Sequence, residues 1–418
     1  MTMQKTMQDL GKVQWVAAAG LAAVLCSGAA QAKWVVQPTA EVRVESSDNI
    51  ALRNDGLEDG GLVSSATLQA NVINRGERTQ ATGTFGISFV DYSGVEDNLQ
   101  DDNVPFVNLA IRRGYERGNA GVNISGRRDS LFRRFAGIND PFQPIAQDDL
   151  QDGLDDLDNG DLVNQGIVTR QIDRIRLNVS PYAQFTLNDR SNLRVTYAYS
   201  GEDYEDEDLA AAFGAQGYDS HSLVGQYTRA INQRTRFFMT ARGTFFTPDR
   251  AQDTDAYETL VGIRRDLSER SNLSVQVGAN RISPDVGDDE TGVSAGLTYS
   301  RQFTNGLLRV DAQRTVQPNS FGLILETNRL SMNYQYLLSS RLAATMRVAA
   351  TSTDTSQENN SQERDFVSFT PELSYSLTEN WQVTAGYQYR YRDVAIDSEN
   401  AKSNAVFLSM RYSPRLER

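Results

Sequence analysis

The 418-residue chain has one cysteine, one histidine, ten prolines and, after residue 32, no apolar run long enough to cross a bilayer as a helix. Each scarcity excludes something. Cys26 precedes Ala30-Gln31-Ala32, an A-x-A cleavage pattern. A chain cut there carries no cysteine, which removes structural disulfides and cysteine-ligated metals. A single histidine, His221, leaves one candidate base for Ser/His or Asp/His hydrolytic chemistry. It shares its phase with Leu223, Gly225 and Tyr227, and Asp219 also falls in that phase, whereas Ser220 and Ser222 take the other. Strand neighbours point to opposite sides, so these residues do not assemble a triad, and no catalytic site, cofactor or metal is expected.

Lysine is nearly absent as well. The four lysines (5, 12, 33, 402) leave 37 of the 41 cationic residues as arginine. Arginine suits close pairing with carboxylates or phosphates, although a base-composition bias would produce the same usage. The net charge is −13, and −14 without the first 32 residues, which argues against nucleic acid as a partner. Mean hydropathy is −0.48, a value typical of soluble chains. A β-barrel escapes that inference because only alternate residues need be apolar.

Residues 1–32 read as a secretory signal peptide, with Lys5 and Lys12 ahead of the apolar stretch from Trp15 to Leu25. That stretch falls short of the ~20 residues of a spanning helix. The remainder alternates with period 2. In IDRIRLNVSPYAQFTL, Ile175, Leu177, Val179, Ala183 and Phe185 share one face and Arg174, Arg176, Asn178, Ser180 and Gln184 the other. The same alternation recurs around Leu193–Tyr199, Phe237–Phe245, Leu273–Ala279, Val293–Tyr299, Leu330–Tyr336, Leu342–Val348 and Trp381–Tyr389, and ends in Val406, Leu408, Met410 and Tyr412. Each run is about the 9–11 residues of a tilted membrane strand.

Connections alternate in length. Eight short ones, rich in Asn, Gly, Asp and Ser, fall near 74–78, 116–120, 188–191, 232–235, 267–271, 304–306, 339–341 and 378–380. Nine longer polar ones fall near 46–61, 92–103, 131–171, 201–217, 248–257, 283–291, 315–326, 352–365 and 393–403. This is the count for an all-β, transmembrane, up-and-down antiparallel barrel of about 18 strands, with short periplasmic turns and long extracellular loops. The barrel is assigned to 33–412 and a short periplasmic tail to 413–418. A soluble sandwich also alternates, but seldom as one ~380-residue meander. Aromatics cluster at strand ends (Tyr115, Phe185, Tyr227, Phe303, Tyr336, Tyr375, Tyr412), where interfacial girdles lie. Arginines keep to the polar phase, where they escape the ~2–4 kcal/mol cost of a mid-membrane lipid face.

The candidate lumen residues are Arg174, Arg176, Arg194, Arg236, Arg242, Arg264, Arg309, Arg329, Arg347 and Arg390. Two readings stand: an electropositive filter for anions or acidic glycans, or wall bracing by pairs with Glu41, Glu45, Asp311 and loop carboxylates. The longest connection carries Asp148, Asp149, Asp152, Asp155, Asp156, Asp158 and Asp161. Asp156, Asp158 and Gly160 match part of a calcium-loop spacing, but the closing Glu is missing. A solvated acidic loop and a constriction folded against the arginines are the other readings.

The segment WVVQPTAEVRVESSDNIAL at 34–52, with Trp34, Pro38 and Ser47-Asp48-Asn49-Ile50, resembles the outer-membrane β-barrel porins found beside exopolysaccharide and PEP-CTERM/exosortase loci. The resemblance implies outer-membrane localisation and a link to polysaccharide export, and it supplies no functional residues. The partners expected are outer-membrane lipid and lipopolysaccharide, the barrel-assembly machinery and polysaccharide export components. Passive passage of small hydrophilic solutes is the first functional expectation. A structural or assembly role in surface-glycan export is the second.

Overall fold

A computed structural model describes residues 34–53, 58–94, 102–130, 171–212, 214–319, 322–354, 364–394 and 399–414. Residues 1–32, where a signal peptide is expected, the aspartates from Asp148 to Asp161 with their calcium-like spacing, and residues 415–418 lie outside these segments. The strands are β1 (Trp34–Ser47), β2 (Gly61–Arg75), β3 (Thr79–Ser93), β4 (Asp102–Tyr115), β5 (Gly118–Ser130), β6 (Asp173–Asn188), β7 (Ser191–Tyr204), β8 (Tyr218–Asn232) and β9 (Thr235–Pro248). They continue as β10 (Thr254–Ser268), β11 (Ser271–Pro284), β12 (Glu290–Phe303), β13 (Gly306–Pro318), β14 (Ile324–Leu337), β15 (Leu342–Asp354), β16 (Arg364–Ser376), β17 (Trp381–Val394) and β18 (Glu399–Tyr412). Among the described residues one helix, α1 (Glu207–Ala212), sits between β7 and β8.

Every strand pairs antiparallel with its sequence neighbours, and β1 pairs with β18 from Ala40↔Tyr412 to Ser47↔Ala405. The sheet therefore closes into an 18-stranded up-and-down barrel with no free edge, as the alternating connections require. Closure satisfies the backbone inside hydrocarbon, where an unpaired amide would cost several kcal/mol. Both β1 and β18 meet the short-turn end.

The pleat sorts side chains as the period-2 pattern dictates. Val42, Leu68, Leu223, Val277, Val293 and Leu408 are each more than half exposed on the outside. Their neighbours Arg43, Gln69, Ser222, Ser294, Phe407 and Ser409 are buried on the inside. An inside-out pattern of this kind, apolar outward and polar inward, belongs to an outer-membrane barrel. The strands run 13 to 16 residues, not 9–11. At ~3.3 Å per residue and a tilt of ~40°, 14 residues rise ~35 Å, beyond the ~25 Å apolar band. The extra length stands in polar sequence on the long-loop side. It shortens the connection expected at 393–403 to 395–398.

Two long-loop segments fold into the barrel. After β1 the chain turns inward, and Asn49, Ile50, Ala51 and Leu52 are buried. Ile50 and Ala51 pack on Val63, Val90 and Tyr92, and Leu52 packs on Phe366 and Ala401. The β13–β14 hairpin also leans inward. Its ladder with β12 stops at Ala295↔Arg314, so Glu290–Ser294 and Thr315–Pro318 do not pair. Val316 and Ile324 instead join Tyr218, Phe246, Ala256 and Ile282 on the inner wall of β8–β11. At Gly292 a Cβ would meet the Glu326 carboxylate, the movable end of a side chain that also accepts from Asn280 Nδ2 at 3.4 Å.

Candidate functional site

All ten candidate arginines occupy the strand face opposite the exposed apolar side chains, but they do not form one site. Around the outer ends of β5–β7 they are bound up in carboxylates. Arg174, 1% exposed, donates from Nε to Asp129 Oδ1 (3.1 Å) and from Nη1 to both Glu202 oxygens (3.0 and 3.1 Å). Tyr204 Oη donates to the same Glu202 at 2.5 Å. Asp129 also receives Arg127 at 3.2 Å and Arg176 at 3.8 Å. Three guanidiniums thus gather on two buried carboxylates, and these ion pairs offset the cost of burying charge of both signs.

Further round the barrel the pairs are simpler. Arg242 meets Glu258 at 3.6 Å, Arg309 grips Asp311 at 2.8 and 3.0 Å, and Arg347 reaches Glu372 at 2.5 Å. Arg194 lies over the Tyr182 ring at 4.2 Å. Arg264 and Arg329 are half-buried, and Arg236 is exposed near the short-turn end. Residues two apart on a strand share a face, which is why Arg309 and Asp311 pair. Asp129, Glu202, Glu258 and Glu372 come from other strands and could not be matched by sequence spacing.

Arg390 has a different role. It is 1% exposed and donates from Nη2 to Ser403 Oγ (2.8 Å) and to the Asn49 carbonyl (3.3 Å). Asn49 is the hub of the inward turn. Its Nδ2 donates to the carbonyls of Arg53 (2.7 Å) and Lys402 (2.9 Å), and its Oδ1 accepts from Arg53 N at 2.9 Å. Asp48 caps Asn404 from the other side, accepting from its backbone N and from its side-chain Nδ2, each at 2.7 Å. The Ser47-Asp48-Asn49-Ile50 run is thus a local clasp that carries the chain across the β1–β18 seam. Below it Arg43 bonds Glu45 at 2.6 Å and lies 3.6 Å over the Phe407 ring. The signal that marks the clasp in sequence is Ile50 and Leu52, two apolar residues inside a polar connection.

His221 faces outward at the rim. Its Nδ1 is 2.7 Å from Tyr197 Oη, and Tyr199 Oη donates to Asp219 Oδ1 at 2.6 Å. Ser222 lies on the inner face, bonded to Thr244 Oγ1 at 2.8 Å, and Ser220 is buried beside it. The strand separates the histidine from both serines. No group of three or more His, Cys, Asp or Glu side chains among the described residues is arranged to hold a metal ion. In the outer loops, burial and the nearby carboxylates of Asp203, Glu207 and Asp219 push the Asp249 carboxyl above its ordinary range. Hydrogen bonds from Ser283 and Arg281 hold Asp289 below it.

No family model and no curated protein matches the chain. Among solved structures it is similar to the outer-membrane channel DcaP of Acinetobacter baumannii, at 12% identity over 93% of this chain and 99% of that one, TM-score 0.43. It is similar to OccK2 (OpdF) of Pseudomonas aeruginosa, at 10% identity over 90% and 98%, TM-score 0.45. A BenF-like porin from Pseudomonas fluorescens Pf-5 gives 10% identity over 91% and 99%, TM-score 0.49. At such identities and superposition scores these channels lend the present chain neither a residue role nor a solute.

Proposed function

We propose that the protein is an outer-membrane pore for passive diffusion of small hydrophilic solutes, with preference for anionic or sugar-like ones. The observation that carries this reading is the pairing of a closed, apolar-coated barrel wall with an inner face of arginine, serine, threonine, asparagine and glutamine. Water and polar solutes are the natural contents of such an interior, and 18 strands enclose enough width for an aqueous channel. Fixed guanidiniums raise the local concentration of anions by the field they focus. The mechanism needs no covalent step and no cofactor.

A second reading is favoured by the two inward-folded segments, Asn49–Leu52 and the β13–β14 hairpin, which occupy the outer end. On that reading the lumen is narrowed until a partner acts, and the barrel serves export or assembly of a surface glycan. Planar-bilayer recording of the refolded protein separates the two. Steady channels whose reversal potential in a salt gradient indicates anion preference support the pore. A folded, heat-modifiable barrel that never conducts supports the export role and refutes free diffusion.

A further inference from the structure

The inner wall is not uniform around the barrel. Between β2 and β7 one cross-strand row runs Asn71↔Thr84↔Asn108↔Ser125↔Asn178↔Ser200. All six residues have the inward phase, and all are amides or hydroxyls. The adjoining row on the short-turn side, which includes Thr82, Asn123 and Ser180, is uncharged as well. Charge begins outside these two rows, at Arg112 towards the turns and at Arg127 and Arg176 towards the loops. The opposite half of the wall carries Arg309 with Asp311 and Arg347 with Glu372.

The row climbs the lumen. Strands tilt by ~40° from the barrel axis, so a row perpendicular to them rises as it passes from strand to strand. Asn71 stands four residues from the short-turn end of β2 at Arg75, and Asn178 ten from that of β6 at Asn188. That difference is a rise of ~15 Å, at ~3.3 Å per residue along a tilted strand. The row is also open to the lumen, as the braced arginines are not. Asn108 is exposed and its five companions are half-buried, whereas Arg174 and Arg390 are each 1% exposed. Thr84 Oγ1 donates to Asn71 Oδ1 at 2.9 Å, and Asn178 Nδ2 donates to Ser125 Oγ at 3.1 Å. Among the described residues, the side chains of Asn108 and Asn123 have no hydrogen-bond partner. Phe106 borders the row two residues from Asn108, its ring seated where a Cβ at Gly86 would stand. An amide carries donors and an acceptor, and a hydroxyl carries both. A carboxylate brings acceptors alone, so the amide oxygens of the row would go unmatched and its own charge uncompensated. A solute with many hydroxyls and no charge offers a donor and an acceptor at each step. A flat apolar ring beside convergent polar groups is a common makeup of small-molecule sites.

We propose that the inner face of β2–β7 is a binding track for small uncharged polyols and sugars, which exchange hydrogen bonds with Asn71, Asn108 and Asn178 as they pass. The proposal rests on the reading of the barrel as a pore and narrows its solute to neutral, hydroxyl-rich molecules. The test titrates the refolded protein in a planar bilayer with lactitol and with lactobionate, which differ by a carboxylate in place of a CH2OH group. Lactitol should reduce the ionic current saturably, with half-saturation at a concentration at least fivefold below that of lactobionate. Asn108→Leu/Asn178→Leu keeps the size of both side chains and removes their hydrogen bonds. It should raise the lactitol half-saturation at least fivefold and leave the reversal potential unchanged. Asn108→Asp/Asn178→Asp, which removes the donors alone, should weaken lactitol likewise and serves if the leucines disturb folding. Arg309→Gln/Asp311→Asn, on the opposite wall, should change it less than twofold. Block that never saturates, tighter block by lactobionate, or a folded asparagine variant that responds to lactitol as the parent does would overturn the track. A parent barrel that does not conduct would refute the pore alone. Calorimetric titration of lactitol and lactobionate into nanodisc-embedded protein then decides the track, with the same variants, and absence of lactitol binding there would overturn it.

Discussion

Replacing Arg174 with methionine tests whether the inner wall is held by charge pairing. The guanidinium is 2% exposed and its two partners, Asp129 and Glu202, are 1% exposed as side chains. Removing it strands the partners unequally. Among the described residues Asp129 keeps Arg127 and Arg176, whereas Glu202 keeps the Tyr204 hydroxyl. An uncompensated buried charge costs ~3–5 kcal/mol, and Arg174→Met should lose that much. Glu202→Gln leaves Arg174 on Asp129 and removes only charge-assisted hydrogen bonds, a loss of ~1.5–3 kcal/mol. The double variant has no stranded Glu202, so it should be more stable than Arg174→Met alone by ~1–2 kcal/mol, a negative coupling that a double-mutant cycle reads directly. Urea titration of the barrel in lipid vesicles, followed by Trp34 and Trp381 fluorescence, gives all four stabilities. Additive losses, or an Arg174→Met cost under ~1 kcal/mol, would refute the claim that this cluster is stabilised by mutual neutralisation.

Other perturbations address the loops. Asn49→Ala removes three hydrogen bonds of the clasp, ~2–3 kcal/mol at about 1 kcal/mol each. Protease cleavage within 48–60 should accelerate at least tenfold, and unchanged cleavage would deny the clasp its role. Gly292→Ala should push the Glu326 carboxylate off Asn280 Nδ2 while the apolar cluster keeps the β13–β14 hairpin seated, leaving conductance unchanged, and a rise would refute that. Deleting 145–163, with its seven aspartates, should raise single-channel conductance if this loop constricts the pore, and no change would rule that out. Asp249 has a folded-state pKa above its ordinary value, so it binds more protons folded than unfolded. The docking of 249–253 on 205–217, including Asp249 N to Gly217 O at 2.9 Å, should therefore be firmest below the ordinary carboxylate range and weaken as pH rises through the raised value. The protection factor of the Asp249 amide, its intrinsic over its observed exchange rate at each pH, should rise on acidification, and Asp249→Asn should abolish that rise.

The barrel is legible in the sequence because its determinants are local. Period-2 alternation depends on adjacent residues, turns such as Asn188-Asp189-Arg190-Ser191 carry their own chemistry, and the alternation of connection lengths counts the strands. The strand ends are less legible. Glu202–Tyr204 reads as loop, yet it continues β7 because Glu202 is tied to Arg174 on the neighbouring strand. Least legible are the two inward folds. Asn49–Leu52, Val316 and Ile324 leave the alternating pattern, and their apolar side chains find partners far away in sequence: Leu52 on Phe366 and Ala401, Ile324 on Phe246 and Ile282. Leu52 does so with φ of 50°, a left-handed backbone that a branched side chain seldom adopts without tertiary support.

The two roles open to the inner arginines, filter and brace, divide along the barrel. A guanidinium held by a buried carboxylate is close to neutral as seen by a passing ion, because the pair's fields cancel within a few ångströms. Arg174, Arg176 and Arg242 have such partners, and Arg309 and Arg347 have less buried versions of them. These five stiffen the wall and contribute little selectivity. Arg390 braces too, but with neutral partners in Ser403 and the Asn49 carbonyl, so its charge persists in the local field. Arg236, exposed near the short-turn mouth, keeps its full charge in water. If that division is right, charge-removing substitutions should split by position. Arg309→Gln/Asp311→Asn and Arg347→Gln/Glu372→Gln, which remove both charges of a pair, should leave the reversal potential nearly unchanged while lowering the urea midpoint. Arg236→Gln should shift the reversal potential towards neutrality without touching stability. A uniform shift from all three would mean that the paired guanidiniums still act on solutes, and that the carboxylates beside them do not cancel their field.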